Sequence, residues 1–344
     1  MKVAAIEHAL PSREVGNEEL IQRILARANG GIDPAKRVEF ESAVRRFFER
    51  TGACTRRHRA PGERAYDFGI AAARGALERA GWAPDDVDLL IYVGVGRGCI
   101  EPATAHVFNA GLDLRRAACF DILDACASWL RAFDVARHML HAGTIRRALI
   151  LNCEFNFDEY IRWDFRDSGD LARLGAGFTV GEAATATLLE GVDEDEYHVS
   201  FRTRSDLHGL CRIPLPNAQQ YEAAPETTAQ PPLGFYSQAY ELNASAIAML
   251  ERQFWDDPAL AGGRYDLAVG HATSVPSRDG VMRRLKLAPA HVLDTFPRYG
   301  NTVSASLPLG LSIAAREGTL ERGHLVLMIV GSAGVTTGLC RFRY

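Results

Sequence analysis

Cys126 is the residue whose surroundings best suit a catalytic nucleophile. It stands in the run 120–130, where a short apolar stretch breaks at Asp124 and a helical pattern begins just beyond the thiol. A cysteine at the N-terminus of a buried helix lies near free backbone N–H groups and the positive end of the helix dipole, both of which favour the thiolate. The sequence therefore predicts a Cys126 thiol of lowered pKa that can accept an acyl group.

Two further polar residues follow in the second half of the chain. His271 comes directly after the apolar run 265–270, and α/β proteins tend to place their sites at strand ends. Asn301 lies in a Gly-Asn turn that leads into a helical pattern. Alone, each residue is typical of a structural role. Together with Cys126 they form an acyl-transfer set, in which an imidazole and an amide hold a developing enolate or thioester oxyanion.

Alternating apolar strands and amphipathic helices must position these residues. Strand patterns at 89–94 and 147–152 alternate with helical patterns at 65–80 and 127–142. This alternation predicts βαβ units, a mostly parallel sheet covered on both faces, and an α/β fold. The second half shows the same alternation, with helical patterns at 237–254, 278–287 and 304–317 and strand patterns at 265–270 and 325–330.

The chain is predicted to consist of two similar halves. Its 344 residues exceed the usual size of one simple core. We place the boundary near residue 192, so that residues 1–192 carry the nucleophile and residues 193–344 carry the histidine and the asparagine. Early in the second half, residues 211–235 are predicted to form a long loop or cap because they are rich in proline. These prolines are Pro214, Pro216, Pro225, Pro231 and Pro232.

Composition restricts the class of protein. A net charge of -4 and a pI near 6.2 lack the basic excess expected of a nucleic-acid-binding chain. No apolar run approaches the roughly 20 residues of a membrane span, and the N-terminus has no signal-peptide pattern, so a cytoplasmic protein is expected. The seven cysteines are scattered without a CxxC pair, which disfavours disulfides and zinc, and no metal is expected.

Six segments together resemble a known family. Their order and spacing are similar to those of the thiolase superfamily, and specifically of the β-ketoacyl-acyl carrier protein synthase III group, over nearly the whole chain. The segments are 49–52, 121–127, 180–186, 270–272, 299–302 and 331–334.

The resemblance implies a five-layered αβαβα fold and a homodimer. Cys126 would be acylated by a coenzyme A or acyl carrier protein thioester, and these thioesters are substrates, so that no separate cofactor is required. His271 and Asn301 would form the second site, where the enolate of an extender attacks the acyl group in a Claisen-type condensation. Backbone N–H groups of Cys126 and Ala333 would hold the oxyanion of the tetrahedral intermediate.

Glu101 departs from the pattern of the fatty-acid enzymes of this group. Those enzymes carry an aromatic residue there, which reaches across the dimer into the partner's acyl pocket. A glutamate before Pro102 resembles instead the olefin-biosynthesis enzymes that join two acyl thioesters without malonyl activation. In such an enzyme the glutamate removes the proton α to a thioester, and an apolar tunnel would raise its pKa and make it a better base. The alternative is a solvated loop glutamate.

Other family markers are also altered. The tryptophan that commonly stacks on the coenzyme A adenine aligns near Arg46, and the usual His-Gln-Ala-Asn motif reads His-Ala-Thr-Ser from His271. These changes favour a specialised substrate, as in secondary metabolism. A basic helix after His271 suits an acidic carrier protein, although a solvated helix face has the same composition. The predicted docking residues are Arg278, Arg283, Arg284 and Lys286.

Three functions are open at this point. The first is the condensing enzyme. The second is a related acyltransferase that passes the acyl group to a hydroxyl or amine with His271 as general base. The third is an inactive partner subunit of a ketosynthase, which the presence of Cys126, His271 and Asn301 disfavours. Asn301 also favours condensation, because an enolate needs a second donor more than an alcohol does.

Overall fold

The helices and strands are those of a computed structural model, which describes residues 1–28, 31–193, 196–222, 230–288 and 292–344. The strands are β1 Lys2–Ala9, β2 Arg13–Gly16, β3 Thr55–His58, β4 Leu89–Val93, β5 Ala118–Ile122, β6 Arg147–Glu154, β7 Ala183–Glu190, β8 Tyr197–Thr203, β9 Cys211–Arg212, β10 Tyr236–Ser237, β11 Leu267–Gly270, β12 Val292–Leu293, β13 Leu325–Ser332 and β14 Thr336–Arg343. The helices are α1 Asn17–Ala28, α2 Arg37–Thr51, α3 Ala65–Ala80, α4 Thr104–Gly111, α5 Ser128–His141, α6 Phe157–Tyr160, α7 Leu171–Leu174, α8 Ala239–Trp255, α9 Pro258–Ala261, α10 Val275–Leu285, α11 Phe296–Tyr299 and α12 Ser306–Glu317.

Two five-stranded sheets form the centre of the molecule, in the orders β1-β7-β6-β4-β5 and β12-β11-β13-β14-β8. Both sheets are mixed. β4 is parallel to β5 and β6, whereas β7 is antiparallel to β1 and β6. In the second sheet β11 is parallel to its neighbours, and β14 is antiparallel to its own. The prediction of a mostly parallel sheet is therefore wrong, because four of the eight strand pairs in these two sheets are antiparallel. Among these, β13 and β14 form a hairpin.

Five layers result from the way the helices bury their apolar faces. α5 and α12 lie between the sheets, where Trp129 and Leu311 share one buried cluster with Ile91 of β4 and Met328 of β13. α3 covers the outer face of the first sheet. α8 covers the outer face of the second sheet, where Leu250 is buried. The predicted αβαβα layering is confirmed, and the nucleophile precedes one of the two central helices.

The predicted helices are present, with some shifted ends. α3 has the predicted bounds, whereas α5 and α12 each begin after a short 3₁₀ turn, at 125–127 and 303–305. α8 begins at Ala239, because Tyr236–Ser237 forms β10. In the described part of the chain, no helix combines the length and apolar character that a membrane span requires.

The proline-rich segment is attached to the body of the protein at both ends. β9 pairs antiparallel with β10. Arg212 forms an ion pair with Glu222, and the Phe235 N–H donates to the Tyr160 carbonyl at 2.8 Å. Residues 223–229, which include Pro225, lie outside the described residues. The described rest of the predicted cap consists of loops and a 3₁₀ turn at Ala218–Gln220, between the two short paired strands β9 and β10.

Candidate active site

Cys126 lies in the 3₁₀ turn between β5 and α5. Ala125 has a φ of 43°, a left-handed conformation that turns the chain sharply before the thiol. The Ala127 N–H donates to Ser332 Oγ at 3.2 Å, and that hydroxyl donates to the Asp124 carbonyl at 3.0 Å. The end of β13 therefore fixes the nucleophile turn, so that both halves of the chain build it.

Burial opposes the predicted ionisation of Cys126. Desolvation raises the pKa of the thiol well above its ordinary value, and the nearby Cys211 and Glu154 raise it further. The prediction of a lowered pKa is wrong, because it took account of the helix N-terminus and not of the buried surroundings. The raised pKa favours the neutral thiol, so a reaction at this sulfur would require a base that takes its proton.

His271 has the properties of that base. Burial lowers its pKa to about 4, so the imidazole is neutral at pH 7. Nδ1 lies 2.9 Å from Ser306 Oγ, and Nε2 is buried without a hydrogen-bond partner among the described residues. Ser306 Oγ also donates to the Val303 carbonyl at 2.9 Å. When the hydroxyl hydrogen is used there, Nδ1 carries the imidazole proton and Nε2 presents a lone pair.

Asn301 is fixed by its own turn. Gly300 has a φ of 68°, and an added Cβ would lie 2.3 Å from the Thr179 carbonyl oxygen, so this position requires glycine. The Asn301 N–H donates to that carbonyl at 2.8 Å. The side-chain Oδ1 accepts the Val303 N–H at 2.9 Å. The amide NH₂ is therefore the end that remains for a ligand.

One cavity of about 890 Å³ brings the predicted residues together. Cys126, His271, Asn301 and Ala333 all line it. Part of its wall is apolar and comes from α8 and α10, whereas arginines and the exposed Tyr240 line the side open to solvent. Such a cavity suits an acyl chain with its thioester at the polar end. The apolar wall includes Ala246, Ile247, Leu250 and Val281, and the exposed arginines are Arg46 and Arg50.

Glu101 does not line this cavity within a single chain. It is exposed on the loop between β4 and α4. That loop lies at the carboxyl edge of the first sheet, next to the end of β5 that leads to Cys126. A contribution of Glu101 to catalysis would therefore have to come from a second copy of the chain, and it stays a prediction.

The predicted docking helix has much of its charge engaged within the chain. Three of its four basic residues contact acidic or aromatic side chains, although Arg283, Arg284 and Lys286 are all exposed. The contacts are Arg278 with Asp279 and Asp294, Arg284 with Glu251, and Lys286 with the Trp255 ring. The positive charge available to an acidic carrier protein is smaller than the sequence indicates. Docking on this helix stays a prediction.

Three polar residues at the site were not predicted. Ser306 holds His271, Glu154 lies buried near Cys126, and Cys211 lines the cavity. The signal for Glu154 was a carboxylate at the end of an apolar strand, where a charge is expensive to bury. The signal for Ser306 was a hydroxyl directly before the apolar run 307–311.

Family models match both halves of the site. Residues 120–207 match 3-oxoacyl-[acyl-carrier-protein] synthase III, and residues 259–344 match the C-terminal region of the same family. The β-ketoacyl-[acyl-carrier-protein] synthase III of Symbiobacterium thermophilum is 32% identical over 299 residues, 86% of this chain and 88% of the relative. The chain belongs to the 3-oxoacyl-[acyl-carrier-protein] synthase III family. The relative from Acidiphilium cryptum is 31% identical over 340 residues, 97% of this chain and 96% of its own.

Solved structures share the fold of this synthase III chain. Xanthomonas campestris OleA with bound lauric acid and lauroyl-CoA superposes with a TM-score of 0.82 at 21% identity, over 99% of this chain and 98% of OleA. The Aquifex aeolicus 3-oxoacyl-[acyl-carrier-protein] synthase III gives a TM-score of 0.81 at 22% identity, over 100% and 99% of the two chains. The thiolase-like fold predicted from the sequence is confirmed.

Proposed function

We propose that this protein is a condensing enzyme of secondary metabolism. It takes an acyl group from a coenzyme A or acyl carrier protein thioester onto Cys126 and joins it to the α-carbon of a second thioester. One observation carries this proposal: a thiol, a neutral imidazole with a free Nε2 and an oriented amide line one largely apolar cavity. Membership of the synthase III family supports it.

The acylation step uses His271 as a base. Nε2 takes the Cys126 proton as sulfur attacks the thioester carbonyl, and the departing thiolate takes the proton back from the imidazolium. The Cys126 N–H lies in the first turn of its helix, where it has no acceptor within the helix, and can hold the oxyanion together with the Ala333 N–H. The net result is a new thioester and a free thiol.

The condensation step uses His271 and Asn301 as donors. The enolate oxygen of the second thioester accepts from the Asn301 amide and from Nε2–H. This requires the other imidazole tautomer, which becomes available when the Ser306 hydroxyl donates to Nδ1 instead of to the Val303 carbonyl. Ser306 lies 2.9 Å from each of these two groups, so either arrangement is within hydrogen-bonding distance.

The carbanion is proposed to arise by loss of an α-proton to Glu101 of a second copy. Within one described chain, Glu241 is the single carboxylate among the cavity-lining residues, and it is exposed. β5 is the outermost strand of its sheet, and apolar side chains lie exposed near its carboxyl end. We propose that two copies pair along β5 as a homodimer, which would bring each Glu101 loop towards the partner's cavity. These side chains are Ile100, Val107 and Leu123, which are 72%, 45% and 58% exposed.

Mass spectrometry of the intact protein with a panel of acyl thioesters tests the first step. We expect a mass gain of one acyl group in the wild type and none in Cys126→Ser. No gain with any donor would favour the inactive partner subunit.

The acylated protein is then mixed with malonyl and plain acyl thioesters, and a carbon–carbon product supports condensation. An ester or amide product with an alcohol or amine would favour the acyltransferase.

Deuterium exchange at the α-carbon of a bound thioester tests the base. Glu101→Gln should abolish exchange while Cys126 acylation continues at the normal rate. Glu241→Gln is the matched control, since it removes the carboxylate that lines the cavity within one chain. Exchange that persists in Glu101→Gln, or carbon dioxide released from malonyl thioester in step with product, would remove Glu101 from the mechanism.

A further inference from the structure

Glu154 is a buried carboxylate without a cationic partner. It ends β6 and is 0% exposed. Its oxygens accept from the backbone N–H groups of Val95 at 3.2 Å and Gly96 at 3.1 Å, and from the Asn156 amide at 2.5 Å. They also accept from the Ser304 N–H at 3.3 Å and from the Ser304 hydroxyl. No lysine or arginine of the described residues neutralises it.

Burial raises the pKa of Glu154, whereas hydrogen bonds from Ser304, Gly96, Asn156 and Val95 lower it and so favour the carboxylate. Three of these contacts are backbone N–H groups, which can only donate and therefore stabilise the ionised form. A buried ion costs several kcal/mol of solvation, which hydrogen bonds offset only in part. The observed arrangement therefore needs a reason beyond stability.

The contacts of Glu154 join segments that meet around the cavity. Val95 and Gly96 begin the loop that leads to Glu101, and Ser304 comes three residues after Asn301. The Asn152 amide donates to Ser304 Oγ at 2.7 Å, which leaves the Ser304 hydroxyl hydrogen for Glu154. One carboxylate thus fixes the turn of the amide donor to the end of the first sheet.

We propose that Glu154 is a positioning residue for the condensation step, because it holds the Ser304 turn and thereby the Asn301 amide in place for the enolate. This inference rests on the proposed condensing function. Acylation does not use Asn301, so loss of Glu154 should separate the two half-reactions. A residue needed only for folding would affect both alike.

The charge of Glu154 also acts on the nucleophile. It raises the pKa of Cys126, together with Cys211 and Asp124 and after the larger effect of burial. The neutral His271, which lines the same cavity, adds no charge. Replacing Glu154 by a neutral residue should therefore move the alkylation of Cys126 to lower pH, a change that loss of packing does not produce.

The test compares Glu154→Gln with Ser304→Ala. The glutamine keeps one acceptor oxygen and places an NH₂ at the other position, so either the donors of Ser304 or those of Gly96 and Asn156 lose their acceptor and the junction is broken on one side. We expect condensation to fall at least tenfold while the rate of Cys126 acylation stays within about threefold, since one lost hydrogen bond to a charged group is worth about 1.5–3 kcal/mol. The pH profile of Cys126 alkylation by iodoacetamide should shift to lower pH. Ser304→Ala should reproduce the loss of condensation without that shift, because the charge remains.

Glu182→Gln is the matched control. Glu182 is another buried glutamate, 1% exposed, but it pairs with Arg59 away from the cavity lining. It should leave the ratio of condensation to acylation unchanged. Equal losses of both half-reactions in Glu154→Gln and in Ser304→Ala, with an unshifted alkylation profile, would overturn the proposal.

The variants also separate this proposal from the proposed function. If the wild type forms no carbon–carbon product with any extender, the condensing function fails, and the alkylation profile alone decides whether Glu154 acts on Cys126. If Glu154→Gln does not fold, as judged by circular dichroism, Ser304→Ala decides the positioning role through its ratio of condensation to acylation.

Discussion

Ser306 determines which nitrogen of His271 carries the proton, and its replacement by alanine tests the site geometry directly. Ser306 is buried behind His271 and does not line the cavity. Ser306→Ala removes the group bonded to Nδ1 and leaves the cavity wall unchanged. The buried Nδ1–H then has no acceptor, and the tautomer with the proton on Nε2 becomes favoured.

The size of the effect follows from the cost of that unsatisfied donor. A buried N–H without an acceptor costs about 1–3 kcal/mol, and each 1.4 kcal/mol is a factor of ten. The tautomer with a free lone pair at Nε2 is depleted to that extent. Deprotonation of Cys126 at neutral pH should therefore slow by about 10- to 100-fold.

Iodoacetamide alkylation of Cys126, followed by peptide mass spectrometry, measures this step without knowledge of the acyl donor. Ser312→Ala is the matched control, because Ser312 Oγ lies on the same helix and bonds Nδ1 of His8 at 2.8 Å. That variant should alkylate at the wild-type rate. Wild-type alkylation in Ser306→Ala, or an equal loss in Ser312→Ala, would refute the assignment of His271 as the base.

Three further predictions concern the amide, the acyl wall and the pH dependence of stability. Asn301→Ala should lower condensation by about 100-fold, as for the loss of one oxyanion donor, while Cys126 is still acylated. Val281→Phe fills part of the apolar wall and should lower the acylation rate with the longest accepted chains about tenfold but not with acetyl, in a chain-length series. The pKa of buried His58 is lowered to about 4, so the unfolded state binds a proton below about 6.5 that the folded state refuses. His58 alone should contribute a fall in stability of up to about 3 kcal/mol between pH 6.5 and 4 in urea titrations. His8 and His271, whose pKa values burial also lowers to about 4, add to the total, and His58→Gln should remove the share of His58.

The helices could be predicted from the sequence more reliably than the pairing and direction of the strands. α3 could be predicted to the residue because its apolar positions have helical spacing and Gly81 ends it with a φ of 67°. Strand direction could not be predicted, because a strand buried on both faces shows the same apolar run in either direction. The pairing of β14 with β8 depends on tertiary packing alone.

That the residues of the candidate site would lie together could be predicted, but their electrostatics could not. Cys126, His271 and Asn301 each follow a recognisable strand end or turn, and they line one cavity. The pKa of Cys126 depends on burial and on Cys211 and Glu154, which are distant in the sequence. In the same way, the charge of Arg278 is balanced by Asp294 from another element, which a helix pattern does not reveal.

The two shifted pKa values have one consequence for the reaction. Burial raises the pKa of Cys126 and lowers that of His271, so both groups are neutral at rest and proton transfer between them is unfavourable. Transfer becomes favourable only when the sulfur bonds to a thioester carbonyl and the negative charge moves to an oxygen held by backbone N–H groups. Reactivity therefore depends on a bound thioester, and a small electrophile that cannot use the oxyanion site should react slowly. In this site Ser306 directs the proton on His271, and Glu154 holds the amide that the next step requires.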